Sequence, residues 1–188
     1  MPPKVPVVLY QIKITLKGTK PPIWRRVTVP RDITLASLHE VIQHAMGWMN
    51  CHLHEFVIDG ERYGSASSEE SDFEEDMVDE ERARLNKVSG PGKKFQYSYD
   101  FGDDWVHEIQ IEREIAGDGE RAARCLTGKN ACPPEDSGGP YGYVHMLSIL
   151  SDPEHEEHDE MREWAGDHVD PLAFDLEQIN RMLSLLKV

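Results

Sequence analysis

Two groups of residues combine types that can do chemistry. The first is centred on His107, which shares a two-residue spacing with Trp105, Ile109 and Ile111. On a strand that spacing puts the imidazole on the apolar face, and a buried polar group without a partner costs about 1–3 kcal/mol. A carboxylate is expected to partner it, with Asp100, Asp103, Asp104 and Glu135 as candidates. His107 is then either a core histidine locking two elements together or, beside a cleft, a general base held by a carboxylate. The second group lies in residues 125–143, where two thiols, three prolines and four glycines surround the pair Glu135-Asp136. Pro133 and Pro134 fix φ, and Gly138 and Gly139 permit angles closed to other residues, so the segment reads as a stiff corner presenting its carboxylates. Successive glycine N–H groups could form an anion nest. The adjacent carboxylates would repel an anion, so the corner suits a cation, an amine or guanidinium group, or the chain's own Arg and Lys.

Other chemistries find weaker support. Cys125 and Cys132 are six residues apart, outside the spacing of structural zinc knuckles, and no second Cys or His pair follows at finger-like distance. His155 and His158 lie three apart on a polar segment, and His52 and His54 alternate with Phe56 and Ile58 as if on one strand face. No metal and no cofactor is assigned from these spacings. GxSxG, HExxH, GxGxxG and the phosphate-binding GxxxxGK[ST] are all absent.

The elements that must position these groups are legible from periodicity. Val8, Tyr10, Ile12, Ile14 and Leu16 alternate with polar neighbours as a half-buried strand, and a turn at 18–22 leads to a second strand from Ile23 to Val29, ended by Pro30. Thr34 or Ser37 caps a helix whose apolar stripe is Leu35, Leu38, Val41, Ile42, Ala45 and Met46, with Gly47 at its end. A strand over 52–58 reaches the turn dipeptide Asp59-Gly60, and 61–64 begin its return. Phe95, Tyr97, Tyr99 and Phe101 share one face of a strand that turns at 102–104 into the strand of His107. Towards the C-terminus, helices are expected around 143–150, over 154–164 from an Asp152-Pro153 start and anchored by Met161 and Trp164, and over 176–186 from an Asp175 cap. The fold class is α+β: a β-grasp-like mixed sheet of two hairpins plus a central helix, with a C-terminal helical annex. Residues 1–188 are read as one domain, with 65–82 a mobile acidic insertion.

The net charge of −15 is unevenly spread, since nine of the 35 carboxylates fall between Glu69 and Glu81, a run without Lys or Arg. The remaining 26 face 20 Lys and Arg, and the basic clusters Arg25-Arg26 and Lys93-Lys94 are two residues each. Such a field disfavours tight, non-specific nucleic-acid binding. The first apolar run, broken by Pro6, is too short for a signal-peptide core or a membrane span, so a cytoplasmic protein with no membrane association and reduced thiols is expected.

Three motifs carry a family likeness: Ile42-Gln43-x-x-Met46-Gly47-Trp48 with His52-Leu53-His54-x-Phe56; Tyr99-Asp100-Phe101-Gly102-Asp103-Asp104-Trp105-x-His107; and Cys132-Pro133-Pro134-Glu135-Asp136-Ser137-Gly138-Gly139-Pro140-x-Gly142-Tyr143. With a closing Asp170-Pro171-x-x-Phe174, the chain resembles the plasmid pRiA4b ORF-3-like family over nearly its whole length. The resemblance implies an α+β fold and occurrence on plasmids, in transposons as passenger proteins and on prokaryotic chromosomes. Some members bear a resolvase label, which would imply site-specific recombination. The chain lacks the arginine-flanked nucleophilic serine and basic DNA-binding element that chemistry needs. The resemblance brings no established reaction, so it supplies no catalytic residues.

Together these readings point to a non-catalytic binding module. Its small acidic cleft is walled by Phe101, Trp105 and Tyr143, with Asp100, Asp103, His107, Glu135, Asp136, Gly138 and Gly139 around it, and takes a cationic ligand or a basic protein segment. The alternatives are a hydrolase using His107 or a metal, and a DNA-recombination accessory. All of them require the 100–107 and 133–143 stretches to meet.

Overall fold

A computed structural model describes residues 7–65, 77–166 and 169–188. It is an α+β structure with one eight-stranded sheet, ordered β5-β4-β3-β6-β7-β1-β2-β8. The strands are β1 (Val8–Leu16), β2 (Ile23–Pro30), β3 (His54–Ile58), β4 (Glu61–Gly64), β5 (Met77–Asp79), β6 (Lys94–Tyr99), β7 (Trp105–Ala116) and β8 (Arg124–Lys129). The helices are α1 (Leu35–Met46), α2 (Leu85–Val88), α3 (Gly139–Leu150), α4 (His158–Ala165) and α5 (Leu176–Leu183).

Both expected hairpins form, and β7 fuses them into one sheet by pairing antiparallel with β6 on one side and β1 on the other. Its register sets Tyr97 opposite His107 and Tyr99 opposite Trp105. Asp59 and Gly60 both take positive φ, as a two-residue hairpin turn between β3 and β4 requires. The inward residues of β1, β2, β3, β6 and β7 form a single core with the predicted α1 stripe. Thr34 caps α1 by accepting a hydrogen bond from the Ser37 amide, and Gly47 ends it in the left-handed region.

Two strands were not foreseen. β5 pairs parallel with β4, so Met77–Asp79 belongs to the sheet rather than to an acidic insertion, while 66–76 of that expected segment lie outside the described residues. β8 pairs with β2 at the sheet edge, where the Asn180 side chain of α5 donates to the Cys125 carbonyl and accepts from its amide. The Asn180 amide thereby occupies the backbone groups that Cys125 would otherwise offer to a further strand.

The C-terminal helices differ in their bounds. α3 begins at Gly139, α4 only at His158, and Trp164 is 51 % exposed rather than an anchor, while Met161 does pack on the core. The Asp175 cap on the Gln178 amide is as expected. The Arg25-Arg26 pair is no basic patch: Arg25 is buried, donating to three backbone carbonyls, and Arg26 pairs with Glu112. Among the described residues no helix is long and apolar enough to cross a membrane.

Candidate functional site

The turn after β6 and the proline-stiffened loop before α3 meet. Asp100 stands at φ 57° and folds its side chain back, its Oδ1 accepting from the Gly102 amide at 2.9 Å and the Asp103 amide at 3.3 Å. A short acceptor side chain that tolerates left-handed backbone is what such a turn needs. The loop is pinned at three points. Trp48 Nε1 donates to the Pro133 carbonyl at 3.0 Å, Glu135 Oε1 accepts from the Met49 amide at 2.8 Å and from the Tyr99 hydroxyl at 3.1 Å, and Asp103 Oδ2 accepts from the Gly138 amide at 3.0 Å. Gly139, at φ 69°, lies so close that a Cβ there would sit 2.4 Å from the Asp103 carbonyl oxygen. Any larger residue would push turn and loop apart.

At this junction the acidic groups converge on His52. Its Nε2 lies 3.1 Å from Asp136 Oδ1, 3.6 Å from Asp100 Oδ2 and 4.0 Å from Glu135 Oε2. None of these approaches has hydrogen-bond geometry, and both His52 Nε2 and Glu135 Oε2 are buried atoms without a partner. No ion pair among the described residues brings a Lys or Arg to Asp100, Glu135 or Asp136. Burial raises the Tyr99 phenol well above its ordinary value, and the Glu135 charge adds to the shift, so the hydroxyl stays a donor to Glu135.

Of the residues singled out by sequence, Asp100, Asp103, Glu135, Asp136, Gly138 and Gly139 are brought together. Phe101 is exposed on the same turn. Trp105 and Tyr143 are buried, and neither lines the two hollows described below. His107 is the main correction, for it is sealed in the core and no carboxylate reaches it. The β6–β7 register and the end of α1 surround it instead with rings, Trp48 edge-on at 5.2 Å and Tyr97 at 5.4 Å, and neither ring nitrogen makes a hydrogen bond of normal geometry. Burial drives its pKa down to about 4, against an upward pull from backbone groups of Trp105 and Tyr97.

His52 takes the position expected of His107. Strand parity had set it beside His54, but β3 begins only at His54, after Asn50 has taken a left-handed φ of 55°. The sequence signal for the site was the His52-x-His54 motif, not the alternation.

A second histidine cluster lies alongside. His54 Nε2 meets Glu80 Oε2 at 2.9 Å, and the His39 and His54 rings stack at 3.5 Å. His39 bonds the Tyr97 hydroxyl through Nδ1 and Asn50 Oδ1 through Nε2, both at 2.8 Å. Burial, with His54 adding, pushes the His39 pKa down to about 3. This cluster and His52 line an open hollow of about 420 Å³ with Glu40 and Glu81. Asp136 lies on the rim of another, of about 370 Å³, lined also by Met146, Glu157, Glu160, Met161 and Trp164. The hollows adjoin through the His52–Asp136 contact, and among the described residues neither is lined by Lys or Arg.

Comparison with known proteins agrees with this architecture. The family model described as "Plasmid pRiA4b ORF-3-like protein" matches residues 8–180. The chain is 42 % identical over 176 residues to "Uncharacterized protein y4hQ" of Sinorhizobium fredii, covering 92 % of this chain and 89 % of that one. It is also similar to the crystal structure of MM3350, a protein of unknown function from Methanosarcina mazei Go1. That match has a TM-score of 0.79 and 37 % identity and covers 91 % of this chain and 97 % of that one.

Proposed function

The chain belongs to the plasmid pRiA4b ORF-3-like family, and from that premise we propose that it is a non-catalytic interaction module that binds a basic polypeptide segment across the two acidic hollows. One observation carries the reading: two adjoining hollows are each lined by carboxylates, Glu40, Glu80 and Glu81 in one and Asp136, Glu157 and Glu160 in the other, with no Lys or Arg among the described residues of their walls. Facing charges of one sign steer a partner of the other and exclude like-charged ones. Half-exposed Trp164 offers a ring face on which a guanidinium can rest. The same acidic surface disfavours the DNA-recombination alternative. The hydrolase alternative built on His107 loses its base, since a sealed imidazole cannot reach a substrate.

Fluorescence anisotropy with the labelled peptide acetyl-Ala-Arg-Ala-Lys-Ala-Arg-Ala-amide, in chelator-containing buffer, tests the reading. Binding is expected to weaken as salt rises and to fall at least fivefold in the Glu157→Gln/Glu160→Gln double variant, with no binding of a peptide carrying Glu at the basic positions. Equal binding of both peptides, or indifference to the double variant, would refute it.

A further inference from the structure

We infer that His52, Asp100 and Asp136 are the ligands of a divalent first-row transition-metal ion, through His52 Nε2, Asp100 Oδ2 and Asp136 Oδ1, with Glu135 behind them as a further acidic group 4.0 Å from His52 Nε2. The inference goes beyond peptide binding and does not depend on it.

The distances fit a shared ion better than an internal ion pair. Two ligands each about 2.1 Å from one metal can be no more than roughly 4.2 Å apart. The approaches to His52 Nε2 of 3.1, 3.6 and 4.0 Å all fall under that limit, and His52, Asp100 and Asp136 each bring one potential ligand atom within 4.8 Å of the others. Side-chain movement of about half an ångström would close the set, and Asp136, with a side chain 70 % exposed, is free to make it.

The supporting bonds make the set more than a crowd of acids. Asp100 is only 8 % exposed and gives Oδ1 to two turn amides, leaving Oδ2 towards the notch with no hydrogen bond among the described residues. Glu135 likewise gives Oε1 to Met49 and Tyr99, and its buried Oε2 has no partner. In each case one oxygen is used to orient the other, as outer-shell bonds orient metal ligands. An imidazole nitrogen among carboxylates suits Mn²⁺, Fe²⁺, Co²⁺ or Zn²⁺ better than Mg²⁺ or Ca²⁺. The ligands come from the α1–β3 connection, the β6–β7 turn and the loop before α3, which is why spacing along the chain gives no finger-like signature.

Calorimetric titration of untagged, chelator-stripped protein with Zn²⁺ and Mn²⁺, without peptide, tests the assignment. Visible absorption of the Co²⁺ complex provides a second readout. One ion per chain is expected. His52→Ala should weaken binding at least 100-fold and abolish the Co²⁺ spectrum, and Asp136→Asn should weaken it at least tenfold. His155→Ala, a change at another histidine, should leave binding as it was. Asp136→Asn alters an exposed side chain and should melt with the parent, so a loss there cannot be ascribed to unfolding. Binding untouched by His52→Ala and Asp136→Asn, or absent altogether, would overturn the site while leaving the peptide measurement, made with chelator present, to stand or fall separately.

Discussion

The two histidine clusters, a few residues apart in the chain, differ in how completely their charges are answered. In the His39, His54, Glu80 and Tyr97 cluster each His39 nitrogen has a partner and the Glu80 carboxylate is met by His54. In the His52 notch, three carboxylates approach one nitrogen without a well-formed hydrogen bond among them. Polar groups enclosed in a fold are ordinarily satisfied, so the answered cluster reads as architecture and the unanswered one as a place prepared for something from outside.

Perturbations should separate the two. The largest effect is expected from Glu80→Ala, which leaves His54 without its partner in a nearly closed setting. It should cost about 3–5 kcal/mol in denaturant unfolding, and Glu80→Gln, which keeps an acceptor, should recover much of this. Next comes pH. His107 and His39 both have folded values below the ordinary 6.5, so above that pH they are neutral whether the chain is folded or not. As pH falls below 6.5 the unfolded chain takes up protons that the native chain refuses, and stability drops until the folded values are reached. The His107 share is on the order of 3 kcal/mol between pH 6.5 and about 4. His107→Leu should remove that share of the slope, because a leucine has no proton to refuse. The smallest effect belongs to the notch, where Asp136→Asn in metal-free buffer should shift stability by no more than ~0.5 kcal/mol. If Glu80→Ala and Asp136→Asn proved equally costly, the distinction between architecture and prepared site would be lost.

The sequence carried the fold further than the site. Alternation in β1, β2, β6 and β7 and the caps at Thr34 and Asp175 are local signals, and each is realised as written. β8 has no such signal: Arg124–Lys129 is strand because β2 offers it an open edge and Asn180 covers its far side. β5 is three residues beside β4, too few for any period to show. At the site, the meeting of the Asp100–Asp104 turn with the Glu135 loop was legible in residue types. The identity of the histidine was not, because parity holds only within a strand and His52 stands just outside β3. The partner expected for His107 failed for a related reason. Alternation showed that the ring would be buried, but the register of β6 and the end of α1 decided that its neighbours would be aromatic.

Glu135 uses one oxygen to tie its loop to Met49 and Tyr99 and turns the other to the notch, whereas the Asp136 carboxylate, among the described residues, reaches only His52. Natural variation should therefore read differently at these neighbours. Drift at Glu135 is restrained by folding even in a lineage that has abandoned the ligand, while Asp136, whose left-handed φ of 56° is equally met by Asn or Gly, can lose its charge once binding is no longer selected, which makes that charge the better evolutionary reporter of whether the notch is still in use.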